Sequence, residues 1–334
     1  MTSAKQYLKP ILEVKNLSVS FNTENGKNMA VDKVNFNLFP NTALGIVGES
    51  GCGKSVTALS IVRLLPKPSA TIEAGEILFA DTDILKLNPQ QLCSIRGDKI
   101  SVIFQEPMTA LNPVHKIGKQ IAEVIKLHNK NLNQIEIENR IIELLQKTEI
   151  PDPKKRINEY PHQISGGMRQ RVVIAIALAC EPSILIADEP TTALDATIQA
   201  QIIELIKEIK LKTKMSVIFI SHDLGVIAEI CDKVAVMYAG KIIETGKTAD
   251  IFDNPAHPYT KGLINSIPTL KQKRKTILNT IKGMVPEFAS SIKGCKFENR
   301  CSYAQPICKT KEPEQILIEH DHLVNCLFPF SVKN

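Results

Sequence analysis

Residues Gly48 to Ser55 read GESGCGKS, a complete G-x-x-x-x-G-K-[ST] pattern. Glycines at this spacing let the chain wrap so that successive backbone N–H groups point inward at phosphate oxygens. A helix that starts at the same point adds its positive dipole end. In such a loop Lys54 reaches the β- and γ-phosphates and Ser55 ligates Mg²⁺, while Gly48, Glu49, Ser50, Gly51, Cys52, Gly53 and Val56 form the cradle. Downstream, Ile184 to Glu189 reads ILIADE, an apolar strand that ends in two carboxylates. Ligands bind at that edge of an α/β sheet. Asp188 is placed to hold Mg²⁺, and Glu189 to polarise an attacking water. The chemistry is nucleotide binding and phosphoanhydride hydrolysis.

Two further constellations stand apart from this pair. Ile164 to Arg171 reads ISGGMRQR, which sets Ser165, Gly166 and Gly167 at the start of a long helix, a second anion cradle. A chain with a complete P-loop needs no second cradle for the same nucleotide, so this one is expected to serve the nucleotide of a partner chain. Near the C-terminus stand Cys295, Cys301, Cys308 and Cys326, four of the eight cysteines. Their spacing, C-x5-C-x6-C-x17-C, lacks the C-x2-C pairs of zinc ribbons. Four thiolates suit a [4Fe–4S] cluster, which demands no single spacing. With His320 or His322 they suit a mixed zinc site, and unliganded thiols are a third reading.

Composition bounds the setting. The 334 residues carry 43% hydrophobic and 23% charged side chains, ordinary for a globular protein with a full core. A net charge of +6 is too weak to argue for nucleic acid, and none is expected as a partner. The longest apolar run, Val172 to Cys180, is far too short to span a membrane, and the N-terminal MTSAKQYLKP lacks the apolar core of a signal peptide. The chain is therefore expected in the cytosol, where thiols stay reduced and a disulfide knot is disfavoured.

The elements that must position these groups alternate. Ile11–Phe21 and Val31–Phe39 read as strands around an Asn25-Gly26 hairpin signal. Strands are also expected at Ala43–Val47, Gly75–Ala80, Ile100–Phe104, Ile184–Ala187, Met215–Ile220 and Val234–Met237. Helices are expected at Val56–Leu65, Met168–Ala179, Ile198–Ile209 and Leu224–Ile230, with a long helical pattern from Lys116 to Lys147. This alternation predicts an α/β fold with a mostly parallel core sheet and a helical insertion. Beyond Asn254 the pattern fades, and the basic run Lys271–Lys275 reads as a solvated linker.

The order Gly48–Ser55, Gln105, Ser165–Gly167, Asp188-Glu189, Thr192–Asp195 and His222 resembles the ATP-binding subunits of ABC transporters. The resemblance covers roughly residues 11–250. It implies a P-loop NTPase ABC cassette: a RecA-like core, an N-terminal antiparallel β subdomain and a helical insertion. Gln105 resembles the glutamine that senses Mg²⁺ and γ-phosphate, and is counted among the Mg²⁺ contacts. His222 resembles the switch histidine on the γ-phosphate, Ala193-Leu194-Asp195 the loop that crosses between two ATPases, and Phe21 the aromatic that stacks on adenine. Met168 departs from the Gln that often continues the signature; the N–H donors of Ser165–Gly167 do not depend on it. The catalytic set implied is Lys54, Gln105, Glu189 and His222.

Repair ATPases of this superfamily separate signature from P-loop by a coiled coil; the Ser55-to-Gly166 interval shows no heptads. Soluble factors usually carry two cassettes; this chain has one. Asn254–Pro268 (NPAHPYTKGLINSIP) and the ISGGMRQRV signature resemble the ATPases of oligopeptide, dipeptide and nickel importers. That implies an ABC ATPase domain over 1–255, with its helical subdomain about 106–165, and a C-terminal extension over 256–334. It further implies an ATP- and Mg²⁺-dependent motor for uptake of di- or oligopeptides, nickel or another small solute in relatives, with a soluble non-transport ATPase as the rival class. The implied partners are a second ATPase subunit, two permease subunits touched by the helical insertion, and an extracytoplasmic binding protein. The implied place is peripheral, on the cytoplasmic face of the inner membrane. In that branch four cysteines matching Cys295, Cys301, Cys308 and Cys326 bind a [4Fe–4S] cluster.

Overall fold

A computed structural model describes residues 9–24, 26–105, 110–192, 194–267, 281–286, 292–319 and 321–330. In chain order its strands are β1 (Leu12–Thr23), β2 (Gly26–Leu38), β3 (Ala43–Val47), β4 (Ala70–Phe79), β5 (Thr82–Asp83), β6 (Ile100–Ile103), β7 (Ile184–Asp188), β8 (Ser216–Ser221), β9 (Lys233–Tyr238), β10 (Lys241–Lys247), β11 (Gln315–Glu319) and β12 (His322–Asn325). The chain divides into two compact units. One comprises Met1–Phe39, Ala43–Leu85 and Phe219–Asn334; the other comprises Pro40–Thr42 and Lys86–Ile218.

The first unit holds an antiparallel sheet ordered β2-β1-β4-β5. β1 buries Leu12 and Val14, then Leu17 and Val19, so the buried parity switches from even to odd. The pairing shifts register between Val14 and Leu17, where Asn16 has φ 49°. An extra residue at such a bulge moves the following side chains to the opposite face, which keeps the apolar ones inward. β4 begins at Ala70 rather than the expected Gly75, because β1 offers partners along its whole length, from Leu12↔Phe79 to Phe21↔Ala70. Asn25, of the expected hairpin turn, lies outside the described residues.

Five more strands of this unit run in the order β11-β12-β10-β9-β3. β3, buried at every position, pairs parallel with β9, as a strand covered on both faces should. β11, β12 and helix Pro258–Asn265 lie where the sequence pattern faded, and β10 and helix Thr248–Asp253, just ahead of that point, were not among the expected elements. The buried Glu244 of β10 fastens them to the core. It accepts from the N–H groups of Ala256 (2.6 Å) and His257 (3.0 Å) and meets His322 Nε2 at 2.7 Å. A carboxylate can be buried when this many donors replace its water.

In the second unit β6 and β7 pair parallel. The helical pattern expected from Lys116 to Lys147 is two helices, Ile117–His128 and Gln134–Lys147. The break follows from local chemistry. Asn133 accepts from the N–H of Glu136, and the Glu136 side chain accepts from the N–H of Asn133, a capping box that starts a new helix. Ile117, Ile121 and Ile125 on one helix, and Ile137, Ile141, Leu144 and Leu145 on the other, form the buried faces. Helix Gly166–Ala177 starts two residues ahead of the expected Met168, and helix Ala196–Thr213 exceeds the expected Ile198–Ile209, each begun by a capping side chain described below. Among the described residues no helix is long and apolar enough to cross a membrane.

Candidate nucleotide-binding site

In the first unit the chain leaves β3, turns through Gly48–Gly53 and enters helix Lys54–Ile61. The turn leaves no room for side chains at its two ends. A Cβ on Gly48 would lie 2.2 Å from the Met237 carbonyl oxygen, and one on Gly53, with φ +105°, 2.5 Å from that of Ala30. No side chain caps the helix, so its first N–H groups are left for an anion. Lys54 is buried, and its ammonium donates to the carbonyls of Gly48 (2.8 Å) and Glu49 (3.0 Å). Ser50 and Gly51 are exposed, and Ser55 and Val56 are half-buried at the helix start. Cys52 is fully buried, and burial pushes its thiol pKa up. Phe21 is half-buried near the end of β1. His222 is exposed in the turn after β8, just before Asp223, which caps helix Leu224–Ile230 through the Gly225 N–H at 2.9 Å.

In the second unit Asp188 is buried at the end of β7. Glu189 follows with φ 46°, a left-handed conformation uncommon for this residue type. One of its carboxylate oxygens accepts from Gln105 Nε2 at 3.1 Å and from the Thr192 hydroxyl at 3.0 Å. Gln105 and Glu189, expected in one reaction, are therefore in direct contact. The Thr192 contact was not expected; no local pattern announces a hydroxyl three residues after a carboxylate as its holder. Gln170, buried on the helix that follows the signature, donates to the Pro190 carbonyl at 2.6 Å and ties that helix to the chain after Glu189. Asp195 caps helix Ala196–Thr213 through the N–H groups of Thr197 and Ile198. Ala193 lies outside the described residues.

Ser165 caps its helix by accepting from the Met168 N–H at 3.3 Å. The two signature glycines differ. A Cβ on Gly167 would lie 2.9 Å from Ile198 Cγ2, so packing alone accounts for this glycine. A Cβ on Gly166 would meet nothing within 4 Å. Packing within the chain therefore does not explain Gly166, whereas close approach by an outside group would. Gly166→Ala is expected to leave thermal stability unchanged and to lower ATP hydrolysis at least tenfold; equal hydrolysis rates would remove the signature from the reaction.

None of the eight cysteines is in a disulfide. Cys295, Cys301 and Cys326 have thiol pKa values raised by burial first and by neighbouring cysteines of the same four; Cys295 and Cys326 reach about 11. Each of these three sulfurs is approached by the N–H two residues on, from Phe297, Tyr303 and Phe328 respectively. Cys295 N–H also donates to the Cys308 carbonyl at 2.8 Å. Among the described residues, however, no group of three or more His, Cys, Asp or Glu side chains stands close enough to hold a metal ion. His322 is buried against Glu244, and His320 lies outside the described residues.

Comparison with known proteins agrees with this geometry. Residues 31–192 match the family described as ABC transporter, and residues 243–308 match the oligopeptide/dipeptide transporter C-terminal region. The chain is 50% identical to a dipeptide transport ATP-binding protein of Bacillus subtilis, over 96% of this chain and 95% of that one. It is also 50% identical to that organism's oligopeptide transport ATP-binding protein, over 94% and 87%. A probable peptide ABC transporter ATP-binding protein of Sinorhizobium fredii is 48% identical over 95% and 94%. Among solved structures, a dimeric ATP-binding cassette in a post-hydrolysis state with ADP and Pi superposes with a TM-score of 0.64 at 27% identity, over 71% of this chain and 98% of that one. A cassette of an ABC transporter complex from Clostridium perfringens gives 0.62 at 27%, over 73% and 91%. The chain belongs to the ATP-binding proteins of ABC transporters, in the branch that carries the oligopeptide/dipeptide transporter C-terminal region.

Proposed function

We propose that this ABC ATPase is the motor subunit of an importer for di- or oligopeptides. The observation that carries the reading is the joining of a complete P-loop cassette to the oligopeptide/dipeptide C-terminal region in one chain. The chain pairs head-to-tail with a second ATPase subunit, and the pair works on two permease subunits at the cytoplasmic face of the inner membrane. An extracytoplasmic binding protein delivers the cargo. In this reading residues 1–255 form the cassette, with the permease-facing helical subdomain at about 106–165, and 256–334 form the extension. The exposed, unpacked Gly166 supports a nucleotide contact made across a pair of chains, and the solved cassette with ADP and Pi is itself dimeric.

The residues divide the work. Gly48–Val56 wrap the phosphates, Lys54 neutralises their charge, and Phe21 stacks on the base. Ser55 in the first unit, and Gln105 and Asp188 in the second, carry hard oxygen donors of the kind that would suit Mg²⁺, which would neutralise phosphate charge. Glu189, oriented by Gln105 and Thr192, takes up the proton of the attacking water. His222 steadies the γ-phosphate, and Ser165–Gly167 reach the phosphate held by the partner chain. Copurification with tagged permeases, followed by ATP-driven uptake of labelled dipeptides, tests the assignment. Accumulation of nickel and not of peptides would move the cargo to the other solute class.

The extension is proposed to hold a [4Fe–4S] cluster on Cys295, Cys301, Cys308 and Cys326. Four unoxidised thiols in one short extension, three of them approached by backbone N–H groups, have the donor chemistry that such clusters use, and among the described residues they are not drawn together into a metal-holding group. A small, loop-rich segment also gains more from a staple than from burial. Anaerobic purification is expected to yield about four iron and four sulfide per chain, lost in Cys308→Ser. Zinc without sulfide would assign the thiols to a zinc site instead.

A further inference from the structure

The extension grips the phosphate loop directly. Arg300, immediately before Cys301, places its two terminal nitrogens on the two carboxylate oxygens of Glu49, at 2.5 and 2.9 Å. The arginine side chain is only 6% exposed. Its Nε–H donates to the Lys282 carbonyl (2.9 Å) and a second Nη2 N–H to that of Gly283 (3.1 Å), which helps to hold the fork in place. Glu49 is also held through its backbone. Its N–H donates to the Tyr259 hydroxyl at 2.9 Å, and its carbonyl accepts from Lys54 Nζ at 3.0 Å. Tyr259 in turn is locked edge-on against Tyr238 and Phe297, with ring centroids 4.7 and 5.3 Å away. Phe297 precedes and Arg300 ends the same short turn, Glu298–Arg300, between Cys295 and Cys301.

We propose that Arg300 is a positioning residue for the phosphate loop: with Tyr259 it fixes Glu49, and the Glu49 carbonyl fixes Lys54, so the cysteine-rich extension sets the affinity of the loop for ATP. This rests on the P-loop reading and names what prepares that loop. A bidentate guanidinium–carboxylate pair specifies direction as well as charge, and a lysine in its place cannot. Binding ATP then requires less ordering of the loop, which appears as affinity and not as turnover.

The test uses the full chain purified in its membrane complex, titrated with ATP for binding and for hydrolysis. Arg300→Ala is expected to raise Kd and KM for ATP about tenfold, with kcat changed less than twofold. Arg300→Lys is expected to recover only part of the loss. Glu49→Gln should weaken binding to a similar degree, and the double variant should be no worse than the weaker single one, because both remove one contact. Glu49→Gln decides the matter if Arg300→Ala lowers the yield of folded protein. Unchanged Kd in Arg300→Ala, or fully additive losses in the double variant, would reduce the pair to a structural staple and overturn the proposal. Lys54→Ala is run beside them: ATP binding that survives it refutes the P-loop reading itself, whatever Arg300 does.

Discussion

Glu189→Gln is expected to lower steady-state ATP hydrolysis roughly 10²- to 10⁴-fold, the usual contribution of a positioned general base, while ATP still binds. An amide at this position keeps the shape of the carboxylate and an oxygen that can accept from Gln105 and Thr192. It cannot accept the proton of water. Asp188, the phosphate loop and the signature are untouched, so the steps before hydrolysis should proceed. The chain should then accumulate with its partner in an ATP-held pair, visible as a larger species in size-exclusion chromatography with ATP and absent with ADP. Hydrolysis at the original rate would show that Glu189 is not the base. Loss of ATP binding would show that the carboxylate serves to hold the nucleotide.

Lys54→Ala is expected to weaken ATP binding by about 1.5–3 kcal/mol, the range for a hydrogen bond to a charged group, or roughly 10- to 150-fold in Kd. Hydrolysis should fall further, since in the proposed role the same ammonium would face charge that develops on the transferred phosphoryl. The ammonium also bridges the carbonyls of Gly48 and Glu49, so the empty loop should become less ordered. A thermal unfolding curve without nucleotide separates the two effects: a modest fall in Tm alongside a large loss of affinity is expected. Unchanged affinity measured by calorimetry would contradict the assigned role.

Much of the core was legible in the sequence because its signals are local. GESGCGKS announces its own geometry, since only glycine tolerates the approach of Met237 and Ala30 backbone to Gly48 and Gly53. The run ILIA is apolar because β7 is buried throughout, and Asp188 ends that strand. Helix Leu224–Ile230 was placed to the residue, bounded by Asp223 and Cys231. The division of the 116–147 helical pattern was also written locally, in Asn133 and Glu136, but the continuing apolar spacing on both sides hides it.

What was not legible depends on distant partners. β4 reaches back to Ala70 only because β1 is there to pair with it. β10 and β12 form short pairings such as Glu244↔Val324, too brief to leave a period in the sequence. His322, weighed as a zinc ligand, is instead a partner of Glu244, a residue with no motif around it. The Arg300–Glu49 contact joins positions 251 apart, and neither residue type at its place predicts the other.

ATP-driven uptake of a labelled di- or oligopeptide into proteoliposomes, reconstituted from the complex that copurifies with this chain, tests the proposed function most directly. The expected result is accumulation that requires ATP inside the compartment where the chain resides and that Glu189→Gln abolishes. A chain that copurifies with no integral membrane protein and hydrolyses ATP alone at full rate would contradict the importer reading.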